Sequence, residues 1–162
     1  SLMHSVYDNS LLPLLPTLSK KRFFIDDRQG AQIVQEIIET MQVKTPGSDI
    51  AISKLSGGNQ QKIVVGKALE SHPKILLLDE PVAGMITTEL EEMAQLVAKI
   101  RKDFNLSIIM IEHHMNFVMP IADRIKVVDF GKTISEGTPD VVQKDPKVIE
   151  AYLGGGYQNV NA

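Results

Sequence analysis

No cysteine occurs among the 162 residues, which excludes disulfides and thiolate metal sites and suits a reducing compartment. No apolar run approaches the ~20 residues needed to span a bilayer, and no signal peptide is apparent. Membrane association would therefore have to come through a partner subunit. Basic charge is short as well: 17 Lys and Arg stand against 20 Asp and Glu, a formal net charge of −3. With no basic stripe to replace phosphate counterions, nucleic acid is not expected as a main partner. Finally, no stretch satisfies G-x-x-x-x-G-K-[ST], the glycine-rich cradle for nucleotide phosphates. The nearest decoy, Gly131-Lys132-Thr133, has Lys126 where the cradle needs glycine. It falls between two strand-like runs and is expected to be a hairpin turn.

What is present is ordinary globular material, 43% apolar and 23% charged. A chain of this length buries roughly two thirds of its unfolded surface. Ser1-Leu2 ahead of Met3 is expected to be a cloning remnant. Residues 4–18 are broken by Pro13 and Pro16 and can hold only short helical turns. Over residues 27–41, Ile33, Val34, Ile37, Ile38 and Met41 recur with the helical period, predicting an amphipathic helix. Residues 43–54 are turn-rich linker.

A Ser56-Gly57-Gly58 turn then feeds a helix to about residue 71, with Ile63, Val64 and Ala68 as its apolar face, ended by His72-Pro73. Residues 75–78 are four consecutive aliphatics, the pattern of a strand covered on both faces. A second helix is predicted over 88–104, with Thr88 and Glu91 as a capping box and Leu90, Met93, Ala94, Leu96, Val97 and Ile100 inward. Another buried strand follows at 107–111, then a short helix at 115–122, a hairpin at 125–135, and small helices at 139–143 and 146–153, the last stopped by Gly154. Strand, helix, strand, helix order implies a parallel α/β core.

Two clusters carry the chemistry. Residues 55–62 read Leu-Ser-Gly-Gly-Asn-Gln-Gln-Lys, and residues 75–81 read Ile-Leu-Leu-Leu-Asp-Glu-Pro. The pair resembles the nucleotide-binding domain of an ABC transporter, with residues 55–60 matching the ABC signature and 75–80 the Walker B strand with its following glutamate. The resemblance implies a partial P-loop NTPase fold of ABC type, with parallel core strands, a helical signature subdomain and a C-terminal hairpin plus short helices. A helix start exposes N–H groups and a positive dipole end that suit a terminal phosphate. By resemblance Ser56, Gly57, Gly58 and Gln60 contact the γ-phosphate of ATP held by the opposite subunit of a head-to-tail dimer. Asp79 holds Mg²⁺ through its water shell, Glu80 is general base for the attacking water, and His113 is the switch histidine. A chelate of metal by His113 and His114 is not expected, since adjacent residues do not share a helix face; His4 and His72 read as surface residues.

Two departures from the family pattern stand out. The loop after Walker B usually carries an Asp or Asn that crosses the dimer interface, but here Gly84-Met85 is followed by Ile86. There is also a seam: residues 11–81 resemble the second cassette of sugar importers, and from Val82 onward the chain resembles ATPases of branched-chain amino acid importers. The expected organisation is a poorly ordered start at 1–10, a helical signature subdomain at 11–72, an α/β core at 73–154 and a tail at 155–162. Without a P-loop the chain reads as the second half of an importer ATPase, cytoplasmic and peripheral to the inner membrane through permease subunits, and not active alone. The first core strands would then be absent, leaving an exposed sheet edge or apolar face that invites self-association. Alternatives are a non-hydrolytic docking or regulatory module and a non-transport ABC ATPase of the DNA-repair or translation type.

Overall fold

A serine paired with an aspartate starts the first helix. Ser5 Oγ accepts the Asp8 N–H at 3.0 Å, and the Asp8 carboxylate accepts the Ser5 N–H at 3.4 Å, a reciprocal cap. The helix is α1 (Val6–Leu11). The computed structural model describes residues 3–12 and 27–153; the turns expected at 13–18 and the glycine stop at Gly154 lie outside them. Val6 and Tyr7 donate to the carbonyls of Ile50 and Ser48, so the turn-rich linker is fastened along α1.

The amphipathic helix is found as α2 (Asp27–Thr40), with Val34 and Ile37 buried on it and Met41 buried just beyond. It crosses α3 (Gly57–Leu69) at a glycine: a Cβ on Gly66 would stand 2.7 Å from Ile37 Cγ2 and 2.8 Å from Met41 Cγ. That close approach turns α3 differently from the expected Ile63, Val64 and Ala68 face. Lys62, Ile63, Val65, Gly66 and Leu69 point inward and Val64 is 46% exposed, because at about 100° per residue those five fall on one side of the helix, centred on Gly66, and Val64 on the other. The helix stops after Leu69, and His72 takes a φ of 50° before Pro73.

Next come β1 (Ile75–Asp79), α4 (Thr87–Asp103) and β2 (Ser107–Ile111). The strands pair in parallel, Ile75 opposite Ser107 through Asp79 opposite Ile111, with α4 as the crossover that parallel pairing requires. Helix α4 starts earlier than expected. The Glu89 carboxylate accepts the Ile86 N–H at 3.3 Å, so the reach-back comes from Glu89, not from a Thr88–Glu91 box. Met93, Ala94, Leu96, Val97 and Ile100 form its buried face, with Leu90 half-buried at the edge.

The two-sided burial expected of β1 and β2 is not found. Leu76 and Leu78 are buried, but Ile75 and Leu77 are 61% and 63% exposed, and Ile109 and Ile111 are 56% and 57% exposed. Pairing brings these four onto one face of a two-stranded sheet, the exposed apolar face anticipated above.

The chain divides into two compact units, one ending at His114 and the other beginning at Met115. In the second, α5 (Met115–Val118) carries the fully buried Phe117. Strands β3 (Ile125–Asp129) and β4 (Lys132–Gly137) pair antiparallel. Phe130 and Gly131 between them have φ of 44° and 76°, the double positive φ of a type I′ turn. Gly131 thus lies in the hairpin turn that its context predicted, with Lys132 and Thr133 opening β4. Short helices α6 (Pro139–Val142) and α7 (Pro146–Leu153) follow, with Val142 and Val148 buried. Among the described residues no helix is long and apolar enough to cross a membrane.

Candidate nucleotide site

The parallel ladder runs one residue past β1. The Glu80 N–H donates to the Ile111 carbonyl at 2.9 Å, after which the chain bends with Glu80 at φ 45°. A left-handed glutamate is uncommon and costs on the order of 1–3 kcal/mol, strain of a kind that gathers at functional sites. The bend leaves Glu80 Oε1 3.8 Å from His113 Nδ1 at the end of the neighbouring strand, both side chains more than half exposed. Asp79, one residue earlier, presents an exposed carboxylate opposite Ile111.

Glu112 organises this end of the sheet, and its side chain has no exposed surface. Its Oε2 accepts the backbone N–H of His113 at 2.8 Å and of His114 at 3.0 Å, and lies 2.8 Å from His114 Nδ1; its Oε1 accepts the Val82 N–H at 3.4 Å. One carboxylate therefore ties the loop after Glu80 to the histidine pair. Burial pushes its pKa upward, but the donors on His114, His113 and Val82 outweigh that and hold it below the ordinary 4.5. An ionised carboxylate only accepts, so the His114 proton sits on Nδ1.

The signature residues form a second cluster. Ser56 caps α3, its Oγ accepting from Asn59 Nδ2 at 2.9 Å and from the Asn59 N–H at 3.4 Å. Gln60 Nε2 donates to the Leu55 carbonyl at 2.9 Å. Ser56 and Gly57 are exposed, whereas Gly58 is buried, and a Cβ there would stand 3.2 Å from Glu89 Oε1. Gly84, at φ 73°, turns the loop so that its carbonyl faces Gly57, with half-buried Met85 and exposed Ile86 following.

Beside the signature lies a cavity of about 180 Å³, lined in part by Ser56, Gly58, Lys62, Met85 and Glu92. Glu92 accepts from Lys44 at 2.8 Å and from buried Lys62 at 3.3 Å, and Lys62 also reaches the Gln42 carbonyl at 3.4 Å. Sequence reasoning missed Lys62 and the fastening role of Glu112. Position offers a signal for each: a lysine within one turn of Val65 on a helix, and an acid closing an aliphatic strand just before a His-His pair.

The family described as ABC transporter matches residues 3–83, and that described as branched-chain amino acid ATP-binding cassette transporter matches residues 132–158. The chain is 42% identical over 102 residues to the high-affinity branched-chain amino acid transport ATP-binding protein LivG of Escherichia coli (strain K12), covering 63% of this chain and 40% of that protein. It is 32% identical over 146 residues to BraF of Pseudomonas aeruginosa, a protein of the same description, covering 90% of this chain and 56% of that one. An alignment of that length crosses the seam at residue 82. Among solved structures, MJ1267, an ATP-binding cassette of an ABC transporter, superposes with a TM-score of 0.77 at 26% identity, covering 93% of this chain and 63% of that one. The dimeric MJ0796, a bacterial ABC transporter cassette, shares the fold with a TM-score of 0.70 at 22% identity, covering 86% and 58%. The chain thus spans between 40% and 63% of the length of these proteins.

Proposed function

Because the chain belongs to the ABC transporter family, we propose that it supplies the signature, Walker B and switch-histidine portion of an ATP-hydrolysing cassette that energises solute import through membrane permease subunits. The observation that carries this reading is the left-handed Glu80 at the end of β1, held by Ile111 with its carboxylate 3.8 Å from His113. In this role Glu80 takes the proton of the attacking water, and His113 steadies the water and γ-phosphate region. Asp79 fits a divalent cation held through water, because its carboxylate is exposed at a strand end. Mg²⁺, when bound, supplies charge neutralisation for the phosphates. Ser56, Gly57, Gly58 and Gln60 offer the start of α3 to a phosphate carried by a second cassette, and Gly84, Met85 and Ile86 lie beside them at that dimer face.

LivG and BraF are named for branched-chain amino acid transport. Together with the family match over 132–158, they favour a permease for that class of solute over the sugar class. The chain itself holds no P-loop sequence, so hydrolysis is assigned to the assembly completed by a P-loop-bearing segment. Adding such a segment from a related cassette should restore Mg-ATP hydrolysis. Glu80→Gln should then lower turnover by roughly 10²–10⁴. Restored hydrolysis that is indifferent to Glu80→Gln would sink the assignment.

A further inference from the structure

The histidine pair holds more donors than a switch needs. The helix-face objection to a chelate does not apply, because residues 112–114 are irregular backbone beyond β2. The two imidazoles lie with centroids 4.1 Å apart, tilted by 39°. One ligand atom each from Glu112, His113 and His114 lies within 4.8 Å of the other two. Glu112 Oε2 stands 2.8 Å from His114 Nδ1 and 3.7 Å from His113 Nδ1, and Glu80 Oε1 stands 3.8 Å from the latter. Donors around a tetrahedral zinc ion stand about 3.4 Å apart, so side-chain rotations that move a ring nitrogen by up to roughly an ångström and a half would bring the set to that spacing.

We propose that Glu112, His113 and His114, with Glu80 at the rim, form a binding site for a divalent transition metal of the zinc class. Two imidazoles with carboxylates select such an ion over Mg²⁺, which prefers all-oxygen surroundings. The metal takes the place of the proton lying between His114 Nδ1 and Glu112 Oε2. That proton moves to Nε2 of the same ring, so the imidazole stays neutral and no net proton is released. The backbone N–H groups of His113 and His114 go on holding the Glu112 carboxylate in place, the outer-shell support that metal ligands require.

The regulatory meaning rests on the reading of Glu80 and His113 as catalytic: zinc here would withhold both from ATP and so inhibit the cassette. The binding itself does not rest on that reading. Zinc sulfate titrated calorimetrically into the metal-free chain should fill one saturable site, and Co²⁺ in its place should show the visible absorption of a four-coordinate ion. His113→Gln, at a mostly exposed side chain, and His114→Gln, whose amide still offers Glu112 a donor, should each weaken zinc by about tenfold or more. His72→Gln should leave it unchanged. No saturable binding, or equal weakening by His72→Gln, would overturn the site. Zinc binding alongside hydrolysis that ignores Glu80→Gln would instead leave the site standing and remove its catalytic meaning.

Discussion

Each unit of this chain contains a sheet of two strands, and the two sheets close in different ways. The β3–β4 hairpin is joined by a two-residue turn and braced across its strands by Glu136, which accepts from Arg124 at 2.8 Å and lies 3.5 Å from Lys126. Its other main contacts are with the short helices α6 and α7 that follow it in the chain. The β1–β2 pair is parallel, joined through α4, and offers Ile75, Leu77, Ile109 and Ile111 to solvent on one face. Parallel sheets are ordinarily covered on both faces, and burying such side chains is worth about 1.5–3 kcal/mol each. Local devices suffice for an antiparallel ribbon; a parallel pair depends on chain from elsewhere.

The sharpest test of that contrast removes long-range packing from the first unit. Ile100, fully buried on α4, should cost about 2–5 kcal/mol when changed to Ala, read from the urea midpoint of the whole chain. Gly66→Ala comes next. Its new Cβ meets Ile37 and Met41 at 2.7 and 2.8 Å, overpacking that should cost about 1–3 kcal/mol. In the hairpin the equivalent weak point is backbone, not packing. Gly131→Val at φ 76° should cost about 1–2 kcal/mol and leave the unfolding of the first unit unmoved. A single shared loss for all three variants would erase the distinction.

The same contrast governs what could be read from the residues. The β3–β4 turn was legible because Gly131 falls between two strand-like runs, and β2 was bounded correctly at Ser107–Ile111. The helical period gave α2 as well, since Val34, Ile37 and Met41 repeat on one face. Apart from the cap of α4, where Glu89 displaced the expected Thr88–Glu91 pair, what failed depended on distant partners. Val64 and Ile63 are equally apolar, and only the crossing at Gly66 decides which turns outward. The run Ile75-Leu76-Leu77-Leu78 reads the same whether one face is covered or two. At the candidate site, Asp79, Glu80 and His113 were legible as motif residues. Glu112 was not, because fastening Val82 to the histidines requires the ends of β1 and β2 side by side.

Leu77→Lys with Ile109→Lys tests the uncovered face directly. Neither side chain is buried, but the two positions pair directly across the strands, so the added like charges should lower stability by about 0.2–1 kcal/mol. Concentration-dependent association of the unchanged chain, followed by sedimentation, should disappear in the double variant. If the unchanged chain sediments as a clean monomer over a wide concentration range, the face does not drive self-association.

The finest comparison sets two carboxylates side by side, each between two cations. Glu92 is held below the ordinary 4.5 by hydrogen bonds from Lys44 and then Lys62, and Glu136 by Arg124 and then Lys126. A pKa lowered on folding means that the stabilisation is fully present above about 4.5 and drains away as pH falls through the folded value. Glu92→Gln and Glu136→Gln should therefore each flatten the acid limb of stability against pH, and neither should change its slope above neutrality. The pairs differ in what is left behind. Losing Glu92 strands the buried ammonium of Lys62, whereas Arg124 and Lys126 are more than half exposed and return to water. Glu92→Gln should be the more damaging of the two at pH 7. Salt at 1 M should cancel the effect of Glu136→Gln while leaving much of the other, since exposed pairs are screened and a buried charge is not. Equal losses with equal salt sensitivity would mean that Lys62 reaches water, and that its burial contributes nothing to holding α3 against α4.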